Sequence, residues 1–306
     1  MNPSDLLAIH PEVRSALADG SAVVALESTI TTHGLPRPDN LEAARMSEAA
    51  VRESGAVPAT VAVHDGRLLV GLSDDELIEL ADARDIPKVS RRNLAGVLAG
   101  PGWGGTTVAA TMIAAHLAGI RVFATGGIGG VHRGGETSMD VSADLEELAR
   151  TPVVVVCAGP KSILDVGRTL EALETRGVPV VAWDSDEVAG FYSRSSGHPA
   201  PLRVDDAAAA ARLVRKQRAL GLLTGVLLTV PLPDELALPA AEVAAAVEQA
   251  EAEAAAAAIH GPASTPFVLE RVAAITEGRS VAANLALIER DAVVAAAVAL
   301  ALAGPA

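Results

Sequence analysis

The chain has 306 residues, half of them apolar, a fifth charged and only 2% aromatic, with a formal net charge of -14. Such a composition buries a large core of Ala, Val, Leu and Ile and excludes a disordered chain. An acidic, aromatic-poor surface suits neither a nucleic-acid duplex nor stacked single-stranded bases, so no nucleic-acid partner is expected.

The first residues, MNPSDLLAIHPEVRSAL, lack a basic segment ahead of an apolar one, so no secretory signal is expected. AVVAL (Ala22 to Leu26) reads as a strand. Glu27 follows it among small hydroxyls, either as a carboxylate that moves a proton or as the partner of a nearby arginine. LEAARMSEAAVRESG then reads as an amphipathic helix stopped by Gly55, and the Asp-Gly pair in ATVAVHDGRLLVG predicts a hairpin. SDDELIELADAR predicts a helix capped by Ser73, with acids in its first turn. KVSRRNL brings Lys88, Arg91 and Arg92 together, as a phosphate-binding cluster or as a solvated run of charge.

TTVAATMIAAHLAG is apolar almost all round, which predicts a buried helix. RVFAT, PVVVVCAG and VPVVAW read as central strands of a parallel sheet covered on both faces. The stretch TGGIGGVHRGGETSMDVSADL, Thr125 to Leu145, follows the first of them. It is neither a Walker loop nor a dinucleotide fingerprint. Its glycines would let backbone N–H groups approach an anion, with His132 and Arg133 adding donors; the plainer reading is a surface loop of turns. Ser142 is placed to cap a helix whose first turn holds Asp144, and Asp140 is freer to hold a hard cation through oxygen.

In VVVVCAGPKSILDVG, Cys157 reads as a core residue; as the single cysteine it excludes an internal disulfide and suits a reducing cytoplasm, the expected location. Lys161 is expected where the next helix begins, so that the helix dipole and burial disfavour its charge and make it a nucleophilic amine; the alternative is a surface lysine covering the strand end. The second half turns helical through DDAAAAARLVRKQRALG, PAAEVAAAVEQAEAEAAAAAIHG and STPFVLERVAAITEG, with the strand GVLLTVPLP between the first two. SVAANLALIERD carries Asn284 on an otherwise mainly apolar helix, either as a satisfied core amide or as a substrate reader. The last apolar run, AVVAAAVALALAG, falls short of the ~20 residues that span a bilayer and reads as a buried or subunit-facing helix, so no membrane is expected. The alternation predicts one α/β domain over residues 1–306, a three-layer αβα sandwich with a mixed, largely parallel central sheet.

ALESTITTHGLP, KVSRR, VFATGGIGGVHRGGETSMDVSADL, VVVVCAGPKSILD, LETRGVPV and FYSRSSG together resemble the pseudouridine-5′-phosphate glycosidase, or indigoidine synthase A, family, from about Ser21 to the AANLALI helix. PGWGG, before Thr106, looks looser than the family's loop there. The resemblance implies a homotrimeric αβα enzyme of the lyase class that needs a divalent cation, typically Mn2+. Such an enzyme reversibly splits the C–C glycosidic bond of pseudouridine 5′-phosphate into uracil and ribose 5-phosphate. By motif it implies Lys161 as covalent nucleophile, Glu27 as proton donor and Asp140 as metal ligand through waters. It sets Lys88, Thr125 and His132 against the phosphate with the backbone at Val108, has Ser142, Ala143 and Asp144 line the substrate, and turns Asn284 to the uracil. A Schiff-base sugar-phosphate aldolase and a non-catalytic sugar-phosphate or nucleotide sensor are the competing expectations.

Overall fold

The computed structural model describes residues 3–35, 37–257, 259 and 264–304. After a 3-10 turn at Pro3–Leu6 come β1 (Leu7–Ile9), α1 (Pro11–Ala18), β2 (Val23–Leu26), a π-helical turn (Ile30–Gly34), α2 (Asp39–Glu53), β3 (Val57–His64), β4 (Arg67–Val70), α3 (Asp74–Asp82), β5 (Lys88–Val89), α4 (Arg91–Leu98), β6 (Trp103–Thr106), α5 (Val108–Ala118) and β7 (Val122–Ala124). The chain continues through β8 (Val131–His132), α6 (Gly135–Ser138), α7 (Ala143–Leu148), β9 (Val154–Cys157), β10 (Leu164–Asp165), α8 (Val166–Thr175), β11 (Val180–Trp183), β12 (Leu202–Val204), α9 (Ala207–Ala219), β13 (Val226–Thr229), α10 (Ala240–Ala256), α11 (Ser264–Ile275) and α12 (Arg279–Ala303).

Eleven strands form one sheet, with the path β1-β4-β3-β2-β7-β9-β13-β11-β12 and with β6 and β5 added against β3. From β3 through β2 to β12 every pairing along the path is parallel; β3–β4 and β3–β6 are antiparallel. This is the mixed, largely parallel αβα sheet expected. The chain leaves β2 toward β3 on one side and leaves β7 toward β9 on the other, so the strand order reverses between β2 and β7. Open α/β sheets bind ligands at such a point, outside the carboxyl ends of the strands.

Alternation along each strand divides the core. Val23, Ala25, Val155 and Cys157 face α1, α5, α7 and α8, whereas Val24, Leu26, Val154 and Val156 face α2, α9 and α12. With few aromatics, the layers are held by many Val, Leu and Ala side chains, each buried Val or Leu contributing about 1.5–3 kcal/mol. A third cluster joins α10, α11 and the first turns of α12 to Phe191, Tyr192 and Ile163 over the carboxyl end of the sheet.

The local expectations mostly stand. Asp65 and Gly66 both take positive φ (44° and 77°), the geometry of the tight hairpin turn between β3 and β4. Ser73 forms a full capping box with Glu76, and α5 is buried along most of its length. One expectation fails, and two are refined. Lys161 does not begin a helix: it lies in a turn, β10 follows, and α8 starts at Val166 under an Asp165 cap. The glycine stretch is not bare loop, since β8 and the short α6 lie within it. The Asn284 helix and the last apolar run are one continuous 25-residue helix, α12, packed on α2, α9, β7 and β9.

Candidate active site

Leu26 and Ala124 pair at the carboxyl ends of β2 and β7, so the residues that follow them emerge side by side. Those residues are Glu27 and Thr125. The Thr125 hydroxyl donates to one oxygen of the Glu27 carboxylate and the Thr29 hydroxyl donates to the other. Each oxygen of the Glu27 carboxyl group is thus matched to one hydroxyl. Thr125 lines the small space behind Glu27 rather than the main cavity. Beneath them, the Thr106 N–H donates to Ser28 Oγ (2.9 Å), and the Thr106 hydroxyl donates to the Val61 carbonyl (2.7 Å). These hydroxyls are fully buried and fix the exit of β2.

A cavity of about 430 Å³ opens in front of Glu27. Lys88, Ser90 and Arg92 from β5 and α4 form one wall, and Thr107 and Val108 at the start of α5 form the floor. His132, Asp140, Ser142, Ala143 and Asp144 form the facing wall, with Lys161 beside them. Asp144 holds the backbone in place: its Oδ1 accepts from the Ala109 N–H (3.1 Å) and its Oδ2 from the Gly129 N–H (2.8 Å). A single carboxylate thus ties the glycine stretch to the first turn of α5. Ser142 caps α7, as expected, and donates its own N–H to the Gly130 carbonyl (2.9 Å).

The glycines turn out to serve close packing inside the protein. A Cβ on Gly129 would overlap the Ser142 side chain, and one on Gly127 would sit 2.6 Å from the Phe191 ring. The Gly129 amide, committed to Asp144, is not available to an anion.

A smaller slot adjoins the cavity and shares Glu27, Thr29, Lys88 and Lys161 with it. Its other walls are Ile30, His33, Phe191, Leu269 and Asn284, with Gly126 and Gly127 beneath. Apart from its shared rim and His33, this space is apolar, with the Asn284 amide as a polar reader. Phe191 holds a φ of 64°, a region bulky residues avoid at a cost of about 1–3 kcal/mol. It is kept there by its N–H bond to the Ala158 carbonyl (3.0 Å) and by tilted contact with Tyr192, whose ring centroid lies 4.6 Å away.

The charges are arranged around Lys161. Burial pushes the Lys88 pKa below its ordinary value; the nearby Lys161 charge adds to this, and Glu27 and Asp144 oppose it. The His33 pKa is also lowered, by burial first and then by the Lys88 charge, so the imidazole is neutral near pH 7. The two arginines of KVSRRNL part company. Arg91 turns to the fully buried Glu147 with Nε–Oε2 at 2.6 Å, while Arg92 lines the cavity with no ion-pair partner among the described residues. The Asp140 carboxylate faces the cavity, and no group of three or more His, Cys, Asp or Glu side chains suited to a metal occurs among the described residues. A lone carboxylate at a wet wall fits a hard cation that keeps most of its water.

All eleven residues singled out from the motifs therefore meet around one cleft, Thr125 from behind Glu27 and Asn284 from within the slot. Thr29, His33, Arg92, Phe191 and Leu269 were not among them. Arg92 belongs to the basic cluster of KVSRRNL, but its separation from Arg91 depends on Glu147, which is 56 residues from Arg91 in sequence. Phe191 opens FYSRSSG, a stretch that carries the resemblance without an assigned role, and nothing local marks Leu269.

The fold and cleft define an α/β protein with a cleft at its strand switch point, where an amine and a carboxyl group lie at the junction of a polar, charged compartment and an apolar one. The profile described as "Indigoidine synthase A like protein" matches residues 12–301. The chain belongs to that family. It is 56% identical over 302 residues to the pseudouridine-5′-phosphate glycosidase of Methylobacterium nodulans, covering 99% of this chain and 90% of that one. It is 56% identical over 300 residues to the enzyme of the same name from Paracoccus denitrificans, covering 97% and 99%. Among solved structures it is similar to the prealnumycin C-glycosynthase AlnA in complex with ribulose 5-phosphate, at 41% identity and a TM-score of 0.91 over 97% of each chain. An indigoidine synthase A-like protein from Thermotoga maritima aligns with a TM-score of 0.88 at 33% identity, over 98% of this chain and 97% of that one.

Proposed function

We propose that this protein reversibly cleaves the C–C glycosidic bond of pseudouridine 5′-phosphate, giving uracil and ribose 5-phosphate. One observation carries the reading: a polar cavity that presents Lys88 and Arg92, and an apolar slot with an amide, meet at Lys161 and Glu27. A phosphorylated sugar suits the first, a flat neutral base suits the second, and the bond between them then lies over the amine. The names of the relatives support the same assignment. A sugar-phosphate aldolase would have no use for the slot.

A C–C glycoside has no leaving-group heteroatom to protonate, so the paired-carboxylate route of ordinary glycosidases does not serve. The base supplies the push instead. Glu27, a carboxylate held by Thr29 and Thr125, takes the N1 proton of uracil. The electron pair moves through C6 and C5 to form a C5=C1′ double bond, and the C1′–O4′ bond breaks. Glu27 returns its proton to O4′. The Lys161 amine adds to C1′, the pair returns to N1, and N1 takes up the proton that the new C–N bond leaves on the lysine nitrogen. Protonation at C5 then allows the C1′–C5 bond to break, with its electrons left on the base and the lysine nitrogen forming an iminium with C1′. Water hydrolyses the iminium to ribose 5-phosphate and frees the amine.

Lys88, Arg92, His132 and the backbone at Val108 bind the phosphate, and Ser142 and Ala143 border the sugar, while Asn284 hydrogen-bonds the uracil as its charge changes. Asp140 would hold a largely hydrated divalent cation such as Mn2+, which supplies positive charge beside the sugar phosphate. A homotrimer completes the reading; the exposed Leu220, Leu222 and Leu223 are an apolar patch of the kind that assembly covers. A cytoplasmic site of action is supported by the lone, buried Cys157. Among the described residues no helix is long and apolar enough to cross a membrane.

The test is to incubate the protein with Mn2+ and pseudouridine 5′-phosphate and to look for free uracil. Borohydride added during turnover is expected to fix a ribose-phosphate mass on Lys161. Turnover with an unmodified lysine overturns the covalent route, and no uracil overturns the assignment.

A further inference from the structure

Two walls of the slot, Phe191 and Leu269, offer no group for proton transfer or charge. Phe191 is 3% exposed, in a left-handed backbone conformation that few aromatic residues adopt. It is braced from both sides: its N–H is bonded to Ala158 near the end of β9, and the bare backbone of Gly127 lies so close that a single added carbon would meet the ring at 2.6 Å. The first fixes the backbone that carries the ring, and the second closes the Gly127 side to it. Leu269 comes from α11, which packs chiefly on α10 over the carboxyl end of the sheet, and it is only partly buried. The whole slot that these walls help to line has a volume of about 60 Å³.

We propose that Phe191 and Leu269 set the size limit of the base, with Phe191 as the fixed wall and Leu269 as the wall that substitution moves, so that the slot admits a single unsubstituted pyrimidine ring. The inference rests on the reading of the slot as the base site, and it assigns specificity to two residues that take no part in bond breaking. It also bears on carbon acceptors in the reverse direction, because a protein of this fold and 41% identity is a C-glycosynthase for prealnumycin.

The experiment measures kcat/KM for pseudouridine 5′-phosphate and for its N3-propyl and C6-propyl derivatives, with the wild-type protein, Leu269→Ala and Phe191→Leu. Thermal melting of each variant identifies any that fails to fold. Wild type is expected to discriminate against at least one propyl derivative by about 100-fold or more. Leu269→Ala should raise the ratio of substituted to parent kcat/KM by roughly 10- to 200-fold, the range that a methylene group commands in an apolar pocket. Phe191→Leu should raise the ratio less, or lose stability through its strained backbone. The size limit is overturned if wild type accepts both propyl derivatives as well as the parent, or if a folded Leu269→Ala leaves every ratio where it was. If wild type fails to cleave the parent, the base-site reading falls with it, so the two failures are told apart by the parent reaction alone.

Discussion

The two compartments of the cleft are built in opposite ways. The polar cavity is made largely from contiguous stretches: KVSRR supplies Lys88, Ser90 and Arg92, and one span from Gly129 to Asp144 supplies the facing wall. The slot joins one stretch, Glu27 to Gly34 after β2, to single residues of distant segments, Phe191 beyond β11, Leu269 on α11 and Asn284 on α12. Polar binding of an anion needs several donors at close quarters, which one loop can present. An apolar wall needs only volume, and any element that reaches the spot supplies it. On the proposed function, the cavity takes the charged part of the ligand and the slot takes its flat base.

The strongest test of that division is its meeting point. Lys161→Ala is expected to abolish turnover, by about 10⁴-fold or more, while thermal melting remains near wild type. Residual activity within a factor of about a hundred would remove the amine from the chemistry. Asn284→Ala follows, with an expected loss of roughly 10²- to 10³-fold in kcat if the amide acts as an oxyanion-type donor. The loss should be equally large on unphosphorylated pseudouridine, because the slot does not sense the phosphate.

Arg92→Ala should lower kcat/KM for the phosphorylated substrate by about 10- to 150-fold, the range of a charge-assisted hydrogen bond, and should change the unphosphorylated reaction little. If both substrates lose equally, the cavity is not the phosphate compartment. Arg91→Ala is the control beside it: Glu147 would be left buried without its cation, so stability should fall while the phosphate preference stays.

The smallest effect lies outside both compartments. Asp291, on α12 beyond the slot, is 1% exposed, and neither oxygen has a well-formed hydrogen bond among the described residues. Burial holds its pKa well above 3.8, so the folded chain keeps a proton that the unfolded chain releases. Folding stability then falls as pH rises from about 4 toward the folded value. Asp291→Asn should raise stability by roughly 1–3 kcal/mol at pH 7, with the gain vanishing near pH 3, where both states are protonated. Denaturant unfolding at the two pH values measures it; an equal gain at both would mean that the carboxyl is not the cause.

Much of this architecture was legible in the chain. The hairpin at Asp65-Gly66, the Ser73 and Ser142 caps and the strands apolar on both faces follow from turn chemistry, capping and period, which are local causes. Lys161 shows where local reasoning stops. A proline and a lysine after a strand suggest a helix start, but the N–H of Lys161 is bonded to Ile128 and β8 pairs with β10, so a distant segment claims the residues that would have opened the helix. The same holds for the glycines of the Thr125 to Leu145 stretch. Their number marked a special loop, yet the side chains that fill the vacant space, Phe191 against Gly127 and Ser142 against Gly129, are visible only once the chain has folded.

Asp144 gives the cleft a hinge-free corner. By holding the amides of Ala109 and Gly129 at once, it makes the start of α5 and the glycine stretch travel as one body. A closing movement of α4 or of the α10–α11 pair would leave both of these hydrogen bonds intact, whereas separating α5 from the glycine stretch would have to break them.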